Sequence, residues 1–384
     1  MRVLHITISM HPKSGGVAQA IRNIIINSPT GLHEVVCLDE LNVEYDMHDD
    51  FIIHKIGRGR TSFQYHPGLN SWLDRMLTGF THAVVHGIWQ YHNFATYRVN
   101  KKIPQHKRPV LAIMPHGMLD PYFQKASGRR LKALRNDIVW ALTEKWAVNA
   151  ADALLFTCEE EMLLARSTFS HYKPRKELNV GLGVMAPPIE NENMHSAFFK
   201  ESGISNNYWL FLGRLHPKKG IQILIESYKK LCHEMQDIPY LVVAGPLDDA
   251  FSLQMKELAA GHSQIIFTGM LSGDAKWGAF YGCDAFILPS FQENFGIAIV
   301  EAMACQKAVV ITRNINIWRE IITGGGGFLI DEQTVYSVCN LLKKIQLFSK
   351  LKLREVGSKA SATYLMNFNL EDCSKRFISM LRSV

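Results

Sequence analysis

The segment AFILPSFQENFGIAIVEAMA, residues 285–304, combines a short apolar run, a loop and the beginning of a helical pattern. The apolar run is closed by Pro289 and Ser290, which is typical of a buried parallel strand that ends in a loop. Residues 297–303 then have the composition of a helix. A strand that leads through a short loop into a helix is the repeating unit of an α/β protein with a parallel sheet.

The loop within this segment has the features of an anion site. If a helix begins near Gly296, residues 294–297 direct unpaired backbone N–H groups and the positive end of the helix dipole toward the ends of the strands. Glu293 lies beside this site, and Glu301 follows about 7–8 Å along the helix axis at ~1.5 Å per residue. Carboxylates accept hydrogen bonds from vicinal hydroxyls, so the two acids suit two sugar rings on either side of a phosphate. A capped surface helix with two unrelated acids is the alternative interpretation.

A second strand–loop–helix pattern is found in YWLFLGRLHPKKG, residues 208–220, and the helical pattern that follows it. Arg214 and Lys219 fall in the loop, above the carboxyl end of the predicted strand, where doubly wound sheets bind their ligands. Arginine supplies a planar fork for phosphate oxygens and lysine supplies a mobile point charge. The two cations therefore suit a diphosphate, although solvated loop residues would give the same pattern.

These segments resemble the family four retaining glycosyltransferases of the GT-B fold. The resemblance is carried by residues 213–220, by Glu293 and Glu301, and by the run EAMA at residues 301–304. Further matching runs are VVAGP at residues 242–246, IFTG at residues 266–269 and CDA at residues 283–285. The resemblance follows the order of the family motifs and covers most of residues 205–330.

The resemblance implies a role for each matching residue. In similar enzymes, the cations corresponding to Arg214 and Lys219 neutralise the diphosphate of the donor. The second acid, Glu301, binds ribose hydroxyls, and the first, Glu293, lies against the donor sugar. The family analogy also places His116 beside the donor sugar and the acceptor. The expected catalytic residues are therefore Arg214, Lys219, Glu293 and His116.

The donor site implied by the resemblance extends beyond the charged residues. The nucleotide base is expected near residues 269–271, whose backbone can contact one edge of the base. The expected donor-binding residues are Gly15, Gly16, Gly213, Met270, Leu271, Asn294, Phe295, Gly296, Ile297 and Glu301.

Gly15 and Gly16 come from the amino-terminal half, after a strand pattern at residues 3–8. Two glycines permit a close approach of the backbone to a ligand, but they do not form the fingerprint of dinucleotide-binding oxidoreductases. In similar glycosyltransferases this loop faces the donor phosphate or the acceptor. A simple tight turn is the alternative.

Two His-Gly pairs, at His86 and His116, each follow an apolar strand pattern. Both segments resemble parts of family members that build exopolysaccharides. A histidine after a strand is either a site residue or a structural hydrogen-bonding residue, and both interpretations stay open for His116. We interpret His86 as structural.

The length and composition predict two domains. The 384 residues exceed one ordinary core, and 47% of them are hydrophobic, which suffices for two doubly wound α/β sheets. Prolines and polar residues at 184–193 indicate a linker. The resemblance implies a GT-B architecture of two Rossmann-like domains that face a central cleft. Residues 1–188 with a closing helix at 368–384 would bind the acceptor, and residues 200–367 would bind the nucleotide-sugar.

Charge and cysteine content bear on the location of the protein. Nine basic residues oppose a single acid, Asp120, between residues 101 and 135. With Tyr122, Phe123 and nearby Trp140, this region suits contact with an anionic inner membrane leaflet or a lipid diphosphate, although a solvated basic surface is the commoner case. The seven cysteines form no C-x-x-C pair, and we see no secretory signal or run of ~18 apolar residues, so we expect a cytoplasmic protein. No nucleic-acid-binding motif is present.

The predicted reaction is transfer of a sugar from a nucleotide diphosphate-sugar to a hydroxyl of a lipid-linked glycan in cell-surface polysaccharide synthesis. The resemblance implies retention of the anomeric configuration, with UDP favoured over GDP. The sequence contains no Asp-x-Asp, so neither a metal nor another cofactor is expected. The alternatives are a GT-B epimerase or phosphorylase, a non-catalytic sugar-nucleotide-binding protein, and a nucleotide-dependent dehydrogenase.

Overall fold

The computed structural model describes residues 1–28, 31–45, 49–126, 128–205 and 207–384. The chain divides into two compact units. The first unit contains Met1–Gly183 and Leu370–Val384, and the second contains Val184–Asn369.

The first unit is built on a parallel sheet of seven strands in the order β3-β2-β1-β4-β5-β6-β7. Its elements in chain order are β1 (Val3–Ile6), α1 (Gly16–Ile25), β2 (His33–Cys37), β3 (Ile52–Lys55), α2 (Pro67–Met76), β4 (His82–His86), α3 (Tyr91–Lys102), β5 (Val110–Met114), α4 (Tyr122–Lys125), α5 (Arg130–Val139), α6 (Lys145–Ala150), β6 (Ala153–Phe156), α7 (Glu159–Ala165) and β7 (Glu177–Asn179). The order reverses direction between β1 and β4, as in doubly wound folds.

The second unit has a parallel sheet of six strands in the order β10-β9-β8-β11-β12-β13. Its elements are α8 (Glu192–Ser202), β8 (Tyr208–Leu212), α9 (Ile221–Glu234), β9 (Tyr240–Ala244), α10 (Ala250–Leu258), β10 (Ile265–Gly269), α11 (Gly273–Gly282), β11 (Ala285–Leu288), α12 (Ile297–Ala304), β12 (Ala308–Thr312), α13 (Trp318–Thr323), β13 (Gly327–Ile330), α14 (Val335–Gln346) and α15 (Lys350–Asn367). Renumbered within the unit, this is the 3-2-1-4-5-6 order of the Rossmann fold.

The predicted fold class is confirmed, because both sheets are parallel and their central strands are buried. The four residues of β11 and the first four of β8 are at most 1% exposed. Strands covered by helices on both faces have continuous apolar runs, and this explains why AFIL and YWLF were identifiable in the sequence.

The last helix of the chain, α16 (Leu370–Arg382), belongs to the first unit, as the resemblance predicted. Its apolar face is buried in that unit, where Phe377 and Leu381 pack in one core cluster with Val3 and Val84. The side chain of Asn23 in α1 also donates a hydrogen bond to the carbonyl of Gly183 at 2.7 Å. The first unit is therefore completed by a helix that begins more than 180 residues after Gly183.

Helices α5 and α6 are joined by one π-helical segment, Trp140–Glu144. Trp140 is only 3% exposed, stacks on Phe169 with the ring centroids 4.8 Å apart, and donates from Nε1 to the carbonyl of Ser170. The expectation that Trp140 contributes to a basic surface patch is therefore wrong, since its indole belongs to the core.

Candidate active site

The second sheet changes direction between its neighbouring strands β8 and β11. The loops that follow these two strands therefore leave the same edge of the sheet in diverging directions, which creates the crevice where open α/β sheets bind ligands. We refer to residues 213–220 as the β8 loop and to residues 289–296 as the β11 loop. Together these loops contain most of the charged residues predicted to hold a diphosphate and a sugar.

The two loops are in direct contact. The backbone N–H of Phe291 donates to the carbonyl of Lys218 at 2.7 Å. Gly220 has a left-handed φ of 70°, and a Cβ added there would lie 2.1 Å from the carbonyl oxygen of Pro289. Gly220 is thus required both by its backbone conformation and by the closeness of the β11 loop.

Lys219 and Glu293 meet across this contact as an ion pair. Their side chains are 17% and 15% exposed, so both charges are largely withdrawn from water. The backbone of Glu293 is fixed from its other side, since its N–H donates to Asn314 at 2.9 Å and its carbonyl accepts from Asn316 N–H at 3.0 Å. The structure therefore brings together the predicted catalytic cation and the predicted sugar-contacting acid.

The β11 loop leads directly into α12. Gly296, with φ 78° and ψ 65°, precedes the first helical residue, Ile297, and no side chain caps the helix start. Phe295 is 4% exposed and packs edge-on against Phe368, with the centroids 5.6 Å apart, and the Nδ2 of Asn316 donates to the Asn294 Oδ1 at 3.2 Å. The helix thus begins at the position where the sequence predicted an anion site, and no side chain caps its first N–H groups.

Glu301 projects from the second turn of α12 and forms an ion pair with Lys276 at 2.6 Å. Its side chain is 13% exposed, and burial raises the pKa of the carboxyl, while Lys276 opposes that rise. Sequence analysis missed Lys276. The sequence indicated Lys276 only indirectly. Lys276 lies in the first turn of α11, the helix that follows residues 269–271, which were expected near the base.

Arg214 differs from the other charged residues of the site because its side chain is exposed. In the described part of the chain it has no ion pair or hydrogen bond. The pKa of nearby His216 is lowered, mainly by burial and to a lesser extent by the positive charge of Arg214. The structure therefore leaves Arg214 outside the two ion pairs.

The glycines beneath Arg214 were only partly recognised. A Cβ on Gly245, after β9, would lie 2.1 Å from the carbonyl oxygen of Gly213. The N–H of Gly245 also donates to the carbonyl of Gly269 at 2.9 Å. Beyond Gly269, Met270 is 72% exposed and Leu271 is 8% exposed. The three loops after β8, β9 and β10 are thus packed together at the same edge of the sheet.

The remaining predicted residues lie in the first unit. Gly15 has a φ of 96° and precedes α1, which begins at Gly16, and a Cβ at either position would meet no atom within 4 Å. His116 follows β5 with a left-handed φ of 54°, and its Nε2 lies 2.9 Å from the Nδ1 of His86. The expectation that His86 is structural agrees with its burial at 2% exposure.

A cavity of about 270 Å³ in the first unit is lined mainly by residues of the loops after β4 and β5 and of α5. Trp89, Met118, Arg129 and Arg135 are among the residues that line it. Arg129 also stacks over the ring of Phe123, with its guanidinium carbon 5.2 Å from the ring centroid. The cavity combines apolar walls with two cations, and sequence analysis recognised it only as part of a basic region.

Across residues 1–28, 31–45, 49–126, 128–205 and 207–384, no three histidine, cysteine, aspartate or glutamate side chains form a group that could hold a metal ion. The same residues contain no helix that is long and apolar enough to cross a membrane.

Comparison with known families identifies the second unit. Residues 196–360 match the model of the family described as Glycosyl transferases group 1. This chain therefore contains a glycosyl transferases group 1 domain, and the two ion pairs and the uncapped start of α12 all lie inside it. The predicted resemblance is confirmed at this level.

The curated relatives are also glycosyltransferases. One is a D-inositol 3-phosphate glycosyltransferase of Arthrobacter sp. (strain FB24), 33% identical over 41% of this chain and 38% of that protein. Another is the O-antigen chain mannosyltransferase B of Escherichia coli, 26% identical over 45% of each chain. This chain thus spans less than half the length of both, whereas an uncharacterized glycosyltransferase of Methanocaldococcus jannaschii aligns at 26% identity over 69% of each chain.

Solved structures with the same fold cover the whole chain. Sucrose-phosphate synthase from Thermosynechococcus elongatus superposes with a TM-score of 0.74 at 16% identity, covering 100% of this chain and 99% of that one. The Anabaena protein HepE, solved in complex with UDP and glucose, also has a TM-score of 0.74 at 16% identity and full coverage of both chains. These similarities show that the chain has the fold of GT-B glycosyltransferases.

Proposed function

We propose that this protein transfers a sugar from a nucleotide diphosphate-sugar to a hydroxyl of a lipid-linked glycan acceptor. The observation that carries the proposal is the contact between the β8 and β11 loops, which unites Lys219 and Glu293 at the start of α12. UDP is the favoured nucleotide, because HepE, with the same fold, was solved in complex with UDP. GDP-sugars are the second donor class.

In the proposed mechanism, the leaving diphosphate is stabilised by Arg214, Lys219 and the N–H groups at the start of α12. Each such donor contributes ~3–4 kcal/mol, or about 10²–10³ in rate. The acceptor hydroxyl attacks the face that the diphosphate leaves and passes its proton to a phosphate oxygen, so the anomeric configuration is retained. Glu293 positions the donor sugar and does not form a covalent bond with it.

Glu301 and Lys276 would bind the ribose side of the donor. An ionised carboxylate accepts two hydrogen bonds from a vicinal diol, and Lys276 favours the ionised form of Glu301 against the effect of burial. No step of this mechanism uses a metal ion. We therefore propose metal-independent transfer, with the nucleotide-sugar as a substrate rather than a cofactor.

The direct test is a nucleotide-release screen with UDP- and GDP-sugars, with and without a chelator and a lipid-diphosphate sugar acceptor. We expect release from one donor, dependent on the acceptor and insensitive to the chelator. Product that forms only with added phosphate would indicate a phosphorylase, and donor binding without nucleotide release would indicate a non-catalytic binding protein.

The Lys219→Ala variant tests the site itself. We expect it to lower kcat by about 10²–10³, because one cation is lost from the leaving group. Lys218→Ala is the matched control, since Lys218 is the neighbouring lysine and its Nζ lies 3.4 Å from the Gln292 Oε1. Near-wild-type transfer by folded Lys219→Ala would contradict the assignment of the diphosphate site.

We also propose that the protein binds the inner face of an anionic membrane through the basic 101–135 region and the helix that extends it. Helices α5 and α6 carry an outward apolar face, spaced by three or four residues, whose members are 51–85% exposed. This face consists of Leu131, Leu134, Ile138, Leu142 and Trp146. Basic residues alternate with it at Arg130, Lys132, Arg135 and Lys145, which is the composition of an interfacial amphipathic helix.

Vesicle co-sedimentation tests this contact. We expect binding to vesicles of anionic phospholipid, weaker binding to zwitterionic vesicles, and loss of binding in the double variant Leu131→Gln, Leu142→Gln. Leu347→Gln is the control, because Leu347 is 75% exposed and lies in the second unit, outside the apolar face of α5 and α6. Equal binding by the double variant and the wild type would remove this helix from the proposed membrane site.

A further inference from the structure

Four histidines of the first unit form one chain of ring-to-ring hydrogen bonds. The Nδ1 of His33 lies 2.8 Å from the Nε2 of His5, and the Nδ1 of His5 lies 2.8 Å from the Nε2 of His86. The chain ends at His116, whose Nε2 lies 2.9 Å from the Nδ1 of His86. Every link therefore joins an Nδ1 to an Nε2, and the four rings follow one direction.

The register of the parallel sheet creates this chain. The histidines come from the neighbouring strands β2, β1 and β4 and from the loop after β5. Each histidine aligns with the residue two positions before the next histidine on the adjacent strand. Because side chains two residues apart lie on the same face, the rings cross one face of the sheet diagonally, with successive ring centroids 5.0–5.2 Å apart. The last ring lies at the carboxyl edge of the sheet, just after β5.

The rings of this chain are neutral. Burial lowers the pKa of His33 and His116 to about 4, and burial with neighbouring histidines lowers the pKa of His5 and His86 well below the ordinary value. A neutral imidazole donates through one nitrogen and accepts through the other. All four protons must therefore lie on Nδ1, or all on Nε2, if every link is to be a hydrogen bond.

The surroundings of His33, at the buried end of the histidine chain, favour the arrangement with all four protons on Nδ1. The Nε2 of His33 is buried and has no hydrogen-bond partner in the described part of the chain. Nearby His92 shows which form such an atom takes: its Nε2 donates to the carbonyl of His86 at 2.9 Å, so its buried Nδ1, also without a described partner, is bare. Burial of an unprotonated nitrogen without a donor costs less free energy than burial of an N–H group without an acceptor, since such N–H groups are rare. The Nε2 of His33 is then bare, and each proton lies on Nδ1.

We propose that this chain fixes His116 as a hydrogen-bond donor that presents its Nδ1–H at the carboxyl edge of the sheet. His86 and His5 act as positioning residues, and His33 terminates the chain. The functional meaning rests on the proposed glycosyl transfer. In that reaction His116 would donate to an oxygen of a substrate, and it would not remove the proton of the acceptor hydroxyl.

Nitrogen NMR of the whole protein with isotope-labelled histidine tests the proposal without any substrate. We expect all four rings to be neutral near pH 7, with protonated Nδ1 and bare Nε2. Signals are assigned by single substitutions. A wild-type His116 that carries its proton on Nε2 would overturn the proposal, whatever the outcome of the transfer assays.

The variant His86→Leu removes the hydrogen-bond link to His116. The matched control is His92→Leu, because His92 is also fully buried but does not belong to the chain of four histidines. We expect His116 to exchange between both tautomers in His86→Leu and to keep Nδ1–H in His92→Leu. In transfer assays, kcat of His86→Leu should fall at least about tenfold, which is the lower limit for loss of the outer partner of a metal-ligating histidine, with donor affinity unchanged. A single Nδ1–H tautomer of His116 in folded His86→Leu would also overturn the proposal.

Discussion

Single charged residues in this protein are stabilised in two different ways. Lys219 and Glu293, like Lys276 and Glu301, are partly buried and satisfy each other as ion pairs. Loss of one partner from such a pair leaves the other charge buried, which costs more than the pair itself contributes. Glu144 is different, because it is 0% exposed and its hydrogen-bond partners are neutral, namely the side chains of Asn93 and Thr143 and the backbone of Trp89. Burial therefore raises the pKa of Glu144 to about 7.

The raised pKa of Glu144 predicts a pH-dependent effect of Glu144→Gln on stability. The folded carboxyl keeps its proton up to about pH 7, whereas the unfolded one loses it near its ordinary pKa of 4.5, so the wild type loses stability as the pH rises between these values. We expect Glu144→Gln, measured relative to wild type, to gain about 2 kcal/mol between about pH 5 and pH 8 in urea unfolding. An effect independent of pH would show that Glu144 is ionised in the folded state.

Among the elements, the β8 and β11 loops are the least tolerant of change. Strands β8 and β11 hold the bases of these loops side by side, and the contact of Gly220 with Pro289 sets their spacing. The same contact places Lys219 next to Glu293. Backbone geometry in one loop therefore controls the chemistry of the other.

Gly220→Ala should separate this contact from ordinary backbone strain. The control is Gly261→Ala, since Gly261 has a similar φ of 82° but no atom within 4 Å of an added Cβ. We expect the control to lose about 1–2 kcal/mol from the left-handed conformation alone. Gly220→Ala should lose at least ~2 kcal/mol more, because the β11 loop must move, and its donor affinity should fall in calorimetry. Equal effects of the two substitutions on stability and binding would contradict this account.

At the scale of the whole molecule, each unit has its own parallel sheet and its own core, but the chain visits the first unit twice. Helix α16 returns after the entire second unit and buries Phe377 at 1% exposure against the strands of the first sheet. The stacking of Phe377 on His5, at 6.2 Å between centroids, also connects this helix to the histidine chain. The first unit is therefore incomplete without the end of the described chain.

Phe377→Ala should destabilise the first unit selectively. Deletion of a buried phenylalanine side chain costs about 3–5 kcal/mol, whereas Lys375→Ala on the exposed side of the same helix should cost less than about 0.5 kcal/mol. Native-state hydrogen exchange locates the effect. Faster exchange is expected in β1, β4 and β5, with little change in β8 to β12. Equal acceleration in both units would show that they unfold together.

The sequence by itself determined the fold class and the order of the motifs. Buried parallel strands have unbroken apolar runs, and the loops at their carboxyl ends carry glycines and charges at characteristic distances from the next helix. AFIL at residues 285–288 and the run that ends at Lys219 were therefore recognisable without coordinates. The resemblance to glycosyltransferases supplied the roles of Arg214 and Glu301, which remain predictions.

Only the tertiary structure decided which side chains meet. The pairing of Lys276 with Glu301 and the alignment of four histidines depend on strand register and helix packing between residues that are 25 to 81 positions apart. The burial of Trp140 and the outward apolar face of α5 likewise depend on which side of one helix faces the core. A linear sequence specifies these neighbours through the summed packing of many residues, so no local pattern reveals them.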